Sequence, residues 1–451
     1  MSIDAELREL PQVTVGRARP VLPSEDPFYV PPREFAAFAP GTVIRSRNVR
    51  IAAFGIIPQK VHAVQFLYRS TDLDGKPDAA VTTVLWTGEF ARTAGPILAF
   101  QCAIDATTSR GFPSYILQHR ARMSASIVPI ELLFAGNALR RGWTVVITDH
   151  EGIEGRFGAP REPGYRVLDG VRATINEFGL DPDTKVAAWG YSGGGMATSW
   201  VAEMAPSYAP EINLIGAVLG APVGDPHSAF WRLNGSFHAG LAVLVIASLR
   251  RKYPGLISMV HNHVTLAGRR RLEQADAMST VGAVLRYAFD NFDDYVDGPL
   301  AELLKAPDIE AMFEDLRLGM HKPACPLLVI QPVHDQIIAA QDVDGQVGRY
   351  LRHGADVTYI RDRLSEHLSA MPLSVPTAID WIDARFAGAP TQPGTTTVWT
   401  MATQPRGVAS MILTTLRMLV GLPVRFQYRL RGPSALPILR PPRHKFLRRR
   451  R

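Results

Sequence analysis

The chain has 451 residues, 46% of them hydrophobic and 20% charged. That excludes disorder throughout and fits one large domain with an insertion, or two domains. Its net charge of +7 is unevenly spread: after Pro390 there is no Asp or Glu but 12 of the 49 Lys and Arg, so residues 1–390 hold 37 basic against 42 acidic side chains, a net of −5. The basic character belongs to the tail, and no specific nucleic-acid partner is expected. Two cysteines, Cys102 and Cys325, are too few for a disulfide framework or a cysteine-built zinc site, and two unpaired buried thiols are expected.

In chain order, Met1–Arg8 lacks a basic segment followed by an apolar run, so no secretory signal peptide is expected. No stretch reaches the roughly 18 apolar residues of a spanning helix. Seven prolines between Pro11 and Pro40 predict an extended arm over the body. Short apolar, β-branched runs then predict strands at 61–68, 81–87, 97–104, 144–148, 185–189, 214–219, 326–331 and 357–360. Several are continuous rather than alternating, which suits strands covered on both faces. Helical patterns lie between them: 130–141 before Gly142, 165–178 before Gly179, 193–205 before Pro206, 341–352 near Gly354 and 374–386 near Gly388. The alternation predicts an α/β fold, a mostly parallel central sheet with flanking helices. It breaks between Pro226 and Gly319, which reads as a helical insertion. The expected organisation is an arm over 1–45, a core in two parts over 46–226 and 316–390, an insertion over 227–315, and a basic tail over 391–451, either surface-binding or disordered.

The sharpest motif is an apolar strand, Val186–Trp189, running into Gly190-Tyr191-Ser192-Gly193-Gly194 and then a helix. This matches the nucleophile elbow, in which a strained serine stands between strand and helix and the flanking glycines give it room. A phosphate loop would need Lys then Ser or Thr at its end, and a dinucleotide fingerprint would need Gly at position 192. A serine nucleophile needs a base, and the base needs an orienting acid. Asp335 follows the strand at 326–331, and His367 follows the strand at 357–360. Neighbouring His334 is expected to point elsewhere, and His353 to cap a helix. His150, His261 and His263 have no partners in the right place, so no metal is expected. The second oxyanion donor, beside the Gly193 N–H, should come from the loop after the strand at 97–104. The Asp105 N–H is the expected group.

At this point the sequence resembles the secretory lipase family of α/β-hydrolases. The likeness runs from about residue 23 to 387. It is carried by Pro23–Tyr29, Pro40–Arg47, Tyr165–Ala173, the elbow, Ala202–Glu211, Gly220-Ala221-Pro222 and Glu366-His367-Leu368. The resemblance implies Ser192, Asp335 and His367 as a catalytic triad, Asp105 and Gly193 at the oxyanion hole, and a lid at about 227–315 over an acyl-binding tunnel. It implies hydrolysis of lipid esters without cofactor. A short-chain esterase or acyltransferase with the same triad, and a catalytically silent membrane-associated binding protein, are the alternatives. Family members are secreted and carry paired cysteines. This chain shows neither pattern, so a cytoplasmic or peripheral membrane location is expected. The basic tail is not part of the family pattern. Its apolar run, Val408–Val420, and Arg448–Arg451 suit an anionic membrane surface as partner.

Overall fold

A computed structural model describes residues 19–88, 95–122 and 125–425. The start of the proline-rich arm, the residues read for a signal peptide and the Arg448–Arg451 cluster lie outside them.

Among the described residues ten strands form the main sheet: β1 (Val43–Asn48), β2 (His62–Thr71), β3 (Pro77–Trp86), β4 (Ile97–Gln101), β5 (Thr144–Thr148), β6 (Val186–Tyr191), β7 (Leu214–Gly220), β8 (Leu327–Pro332), β9 (Val357–Asp362) and β10 (Gly394–Val398). Their spatial order is β1-β2-β3-β5-β4-β6-β7-β8-β9-β10. The first three pairings are antiparallel and the other six parallel. Every residue of β4, β5, β6 and β8 is buried, as continuous apolar strands require when helices cover both faces.

Two apolar layers lie on the two faces of the sheet. One joins α1 (Val128–Arg141) and α11 (His367–Phe386) to the sheet through Leu132, Leu139, Val375 and Ile379. The other joins α2 (Glu162–Phe178) and α3 (Gly193–Tyr208) through Val167, Val171, Trp200 and Val201. Helices α1 and α2 end where expected, at Gly142 (φ +84°) and Gly179 (φ +59°), since left-handed closure needs a residue without Cβ. Helix α3 runs past its expected end, with Pro206 inside its last turns.

The arm turns through short 3₁₀ segments at Pro27–Tyr29 and Arg33–Ala37. Tyr29 is its anchor: it is buried against Leu67 and Val81, with its hydroxyl bonded to Ser114.

Between β7 and β8 the chain forms α4 (Pro226–Leu233), α5 (Ala239–Leu249), α6 (Pro254–His263), α7 (Leu266–Ala275), α8 (Thr280–Arg286) and α9 (Pro307–Leu316). These inserted helices share a continuous apolar core with α2 and α3. Helix α10 (Ala340–Arg352) follows β8. The segment after 391 corrects the expectation of a separate tail. Gly394–Val398 pairs in parallel with β9, and α12 (Pro405–Leu419) packs on α1 with Thr414 and Met418 buried. Both cysteines are buried and free.

Candidate active site

Strand β6 delivers Ser192 at the carboxyl end of the sheet, where open α/β folds place their functional loops. The serine has φ +55° and ψ −120°, and α3 begins at the next residue. A Cβ at Gly190 would lie 2.2 Å from the Gly194 carbonyl oxygen, and one at Gly194 would lie 2.1 Å from the Gln101 oxygen. Those approaches exclude any side chain and hold the sharp turn. Such a backbone conformation costs about 1–3 kcal/mol and persists only where its surroundings fix it. The neighbouring Tyr191 hydroxyl donates to the His367 carbonyl, tying the elbow to the start of α11.

The three predicted groups come together. His367 Nε2 is 2.9 Å from Ser192 Oγ, and His367 Nδ1 is 2.7 Å from Asp335 Oδ2. Asp335 is fixed from its other side. Its Oδ1 accepts the N–H groups of Ile337 and Ile338, each at 2.8 Å, and Oδ2 also accepts from Gln331 Nε2 at 3.2 Å. With the carboxylate accepting from Nδ1–H, Nε2 is left to accept from the serine hydroxyl. His367 is the first residue of α11, behind a capping box in which the Glu366 carboxylate accepts the Leu368 and Ser369 N–H groups. Burial would raise the Glu366 pKa, but its hydrogen bonds from Gln336, Leu368 and Ser369 outweigh this and hold it at about 2.

His334 is exposed, and His353 caps α10 as expected. His261 and His263 sit exposed at the end of α6. His150 is buried with Nε2 2.9 Å from the Cys102 carbonyl, and burial lowers its pKa to about 4, so it is neutral.

The oxyanion expectation needs correcting at one atom. The Gly193 N–H opens a helix and has no partner within that helix. The Asp105 N–H is not free: it donates to Glu151 Oε1 at 3.0 Å, and the Ala106 N–H donates to Oε2 at 3.2 Å. The Asp105 side chain stands at the nucleophile instead. Its residue has φ +46°, and a Cβ added to Gly193 would come within 1.9 Å of its Oδ1. That oxygen is buried and has no hydrogen-bond partner among the described residues. Burial raises the Asp105 pKa to about 7, with His367 pulling the other way.

Sequence reasoning missed Glu151, Thr280 and Arg232. Glu151 is fully buried, which pushes its pKa well above the carboxylate range. Its position just past the carboxyl end of β5 was the available signal. From the insertion, the Thr280 hydroxyl donates to the Asp105 carbonyl at 2.8 Å, and Arg232 Nη2 donates to the Asp335 carbonyl at 2.5 Å.

Ser192, Gly193 and Asp105 lie on the wall of a cavity of about 1450 Å³, counting its open mouth. The rest of its wall is almost wholly apolar and comes mainly from the insertion, including Leu241, Val245, Ile246, Leu256 and Phe292.

A mostly parallel sheet, an elbow and convergent Ser, His and Asp define an α/β-hydrolase. The sequence pattern of secretory lipases matches residues 117–394. A Mycobacterium tuberculosis protein named a probable inactive lipase is 47% identical over 88% of this chain and 90% of its own. Lipase A of Arthroderma benhamiae is 33% identical over 90% of this chain and 89% of its own. In the solved structures, Candida antarctica lipase A superposes with a TM-score of 0.80 at 28% identity, covering 90% of this chain and 98% of that one. The chain belongs to the secretory lipase family.

Proposed function

We propose that this protein hydrolyses carboxylic esters of lipids through an acyl-enzyme on Ser192. The observation that carries this is the continuous chain Ser192–His367–Asp335, with contacts of 2.9 and 2.7 Å, at the wall of a large apolar cavity. Nε2 of His367 takes the hydroxyl proton as Oγ attacks the ester carbonyl. Asp335 stabilises the imidazolium, and the oxyanion meets the Gly193 N–H. Each well-placed donor is worth about 3–4 kcal/mol at such a site. His367 then protonates the leaving alkoxide, and water releases the acyl group by the same route.

The Asp105 carboxyl, whose Oδ1 has no hydrogen-bond partner among the described residues, supplies the second oxyanion donor when protonated. It is the group beside Gly193 with an unused polar atom. The insertion serves as a lid whose inner face is the acyl tunnel. Its almost wholly apolar wall, drawn mainly from the insertion, suits the hydrocarbon of a long acyl chain.

A catalytically silent lipid-binding protein is the second reading. It is favoured by the Glu151 carboxyl group holding the Asp105 N–H and by the name of the 47% identical relative. A fluorophosphonate probe separates the two. Labelling of the wild type but not of Ser192→Ala supports the hydrolase, and absence of labelling in both leaves the silent protein.

Tunnel length is tested at Val245, which lies on α5 and lines the cavity. Val245→Trp should lower kcat/KM for p-nitrophenyl palmitate at least ~10-fold relative to the butyrate, since each lost methylene contact in an apolar pocket is worth about 1–3 kcal/mol. An unchanged ratio would remove the acyl chain from this cavity. Short-chain preference in the wild type would make the protein an esterase, and transfer to alcohols in preference to water an acyltransferase.

A further inference from the structure

Helix α12 has two unlike faces. Thr414 and Met418 are buried against α1, and Gln59 and Arg140 hold the helix there by donating to the carbonyls of Met418 and Ser410. On the outer side Ile412, Leu413, Leu416 and Val420 are 49%, 42%, 55% and 66% exposed. Spaced at i, i+4 and i+8, with Leu413 beside them, they form one apolar stripe. A Cβ at Gly421 would lie 3.5 Å from Ile57, and Ile56 of that loop is 74% exposed.

The sequence then runs from Arg425 to Arg451 with 10 Lys or Arg and no acid, interleaved with Phe426, Tyr428 and Phe446. Nothing in the proposed chemistry uses this face or this charge.

We propose that α12 and the basic segment after it dock the protein on an anionic lipid surface, the stripe entering the headgroup boundary and the cations meeting the headgroups. The two features fit that partner together. A basic segment near an anionic leaflet is attracted to it, and an amphipathic helix inserts its apolar face. A nucleic acid would use the charge but has no use for the leucines. A second copy would bring like charge against like charge.

The test uses the full-length chain sedimented with vesicles of phosphatidylcholine alone or with about 30% phosphatidylglycerol. Partitioning should be at least ~10-fold stronger on the anionic vesicles and should weaken as salt rises. Leu413→Asp with Leu416→Asp should lower it at least ~10-fold with the unfolding midpoint unchanged, both side chains being exposed. Changing Arg448, Arg449, Arg450 and Arg451 together to Gln should lower it and reduce its salt dependence. Equal partitioning on both vesicles overturns the proposal. So does wild-type behaviour of the aspartate pair, which would leave only a polycation that binds duplex DNA equally well. Stronger binding after the Arg changes also overturns it, because the tail would then be covering its own helix. Ser192→Ala should partition like the wild type, so the result stands apart from the catalytic reading.

Discussion

Asp335→Asn should lower kcat/KM for a soluble ester by about four orders of magnitude, as expected when a histidine base loses its orienting acid. The reason lies in how the carboxylate is held. Oδ1 is committed to the N–H groups of Ile337 and Ile338. Asparagine can keep those bonds with its oxygen, but its NH₂ then faces His367 Nδ1. The ring must accept at Nδ1, which puts its proton on Nε2 and leaves nothing to take the serine proton. His367 also opens α11, where the helix dipole disfavours a cationic ring. Removing the buried anion therefore also costs the imidazolium its main stabiliser. Fluorophosphonate labelling should slow in parallel while the urea midpoint changes little. A loss smaller than ~10-fold would show that hydrolysis does not run through this histidine.

Asp105→Leu should lower kcat about 10²- to 10³-fold, the usual cost of removing one oxyanion donor. Asp105→Asn should retain most of the activity, because an amide can donate where the protonated acid did and asparagine tolerates the left-handed backbone at φ +46°. The sign of the pH dependence follows from the raised pKa of about 7, caused by burial. Below that value the carboxyl is neutral and its O–H can donate. Above it the group is an anion beside the developing oxyanion. Wild-type hydrolysis should therefore fall as pH rises through about 7, and Asp105→Asn should lose that alkaline limb. An alkaline limb unchanged in Asp105→Asn would remove the carboxyl from the oxyanion site.

The parts of the fold that the sequence made legible are those governed by local rules. Val145, Val146 and Ile147 form a run that only a doubly covered strand can bury, and Gly142 and Gly179 mark left-handed helix ends. The elbow is legible because Gly190 and Gly194 answer to contacts within a few residues or with one adjacent strand. Asp335 and His367 follow from chain order after two clear strands.

The failures have different physics. Gly394–Val398 reads as part of the basic tail because an edge strand of threonines has no apolar pattern, and its pairing with β9 supplies the order. Val43–Asn48 alternates around Arg45 and Arg47, whose charges hid it. Pro372 and Pro376 lie inside α11, so the pattern began at Ser374 although the helix starts at His367. The hydrogen bond from Asp105 to Glu151 joins residues 46 apart. No periodicity encodes such a pair, and only the packed sheet brings them together.

The bonds from Thr280 and Arg232 change how the insertion should be treated in engineering. They brace the backbone of the loops bearing Asp105 and Asp335. A truncated, permanently uncovered variant would thus lose two struts of its own reaction centre together with its roof. Substitutions on the cavity-lining face of the insertion that leave both struts in place are the sounder route to a widened mouth.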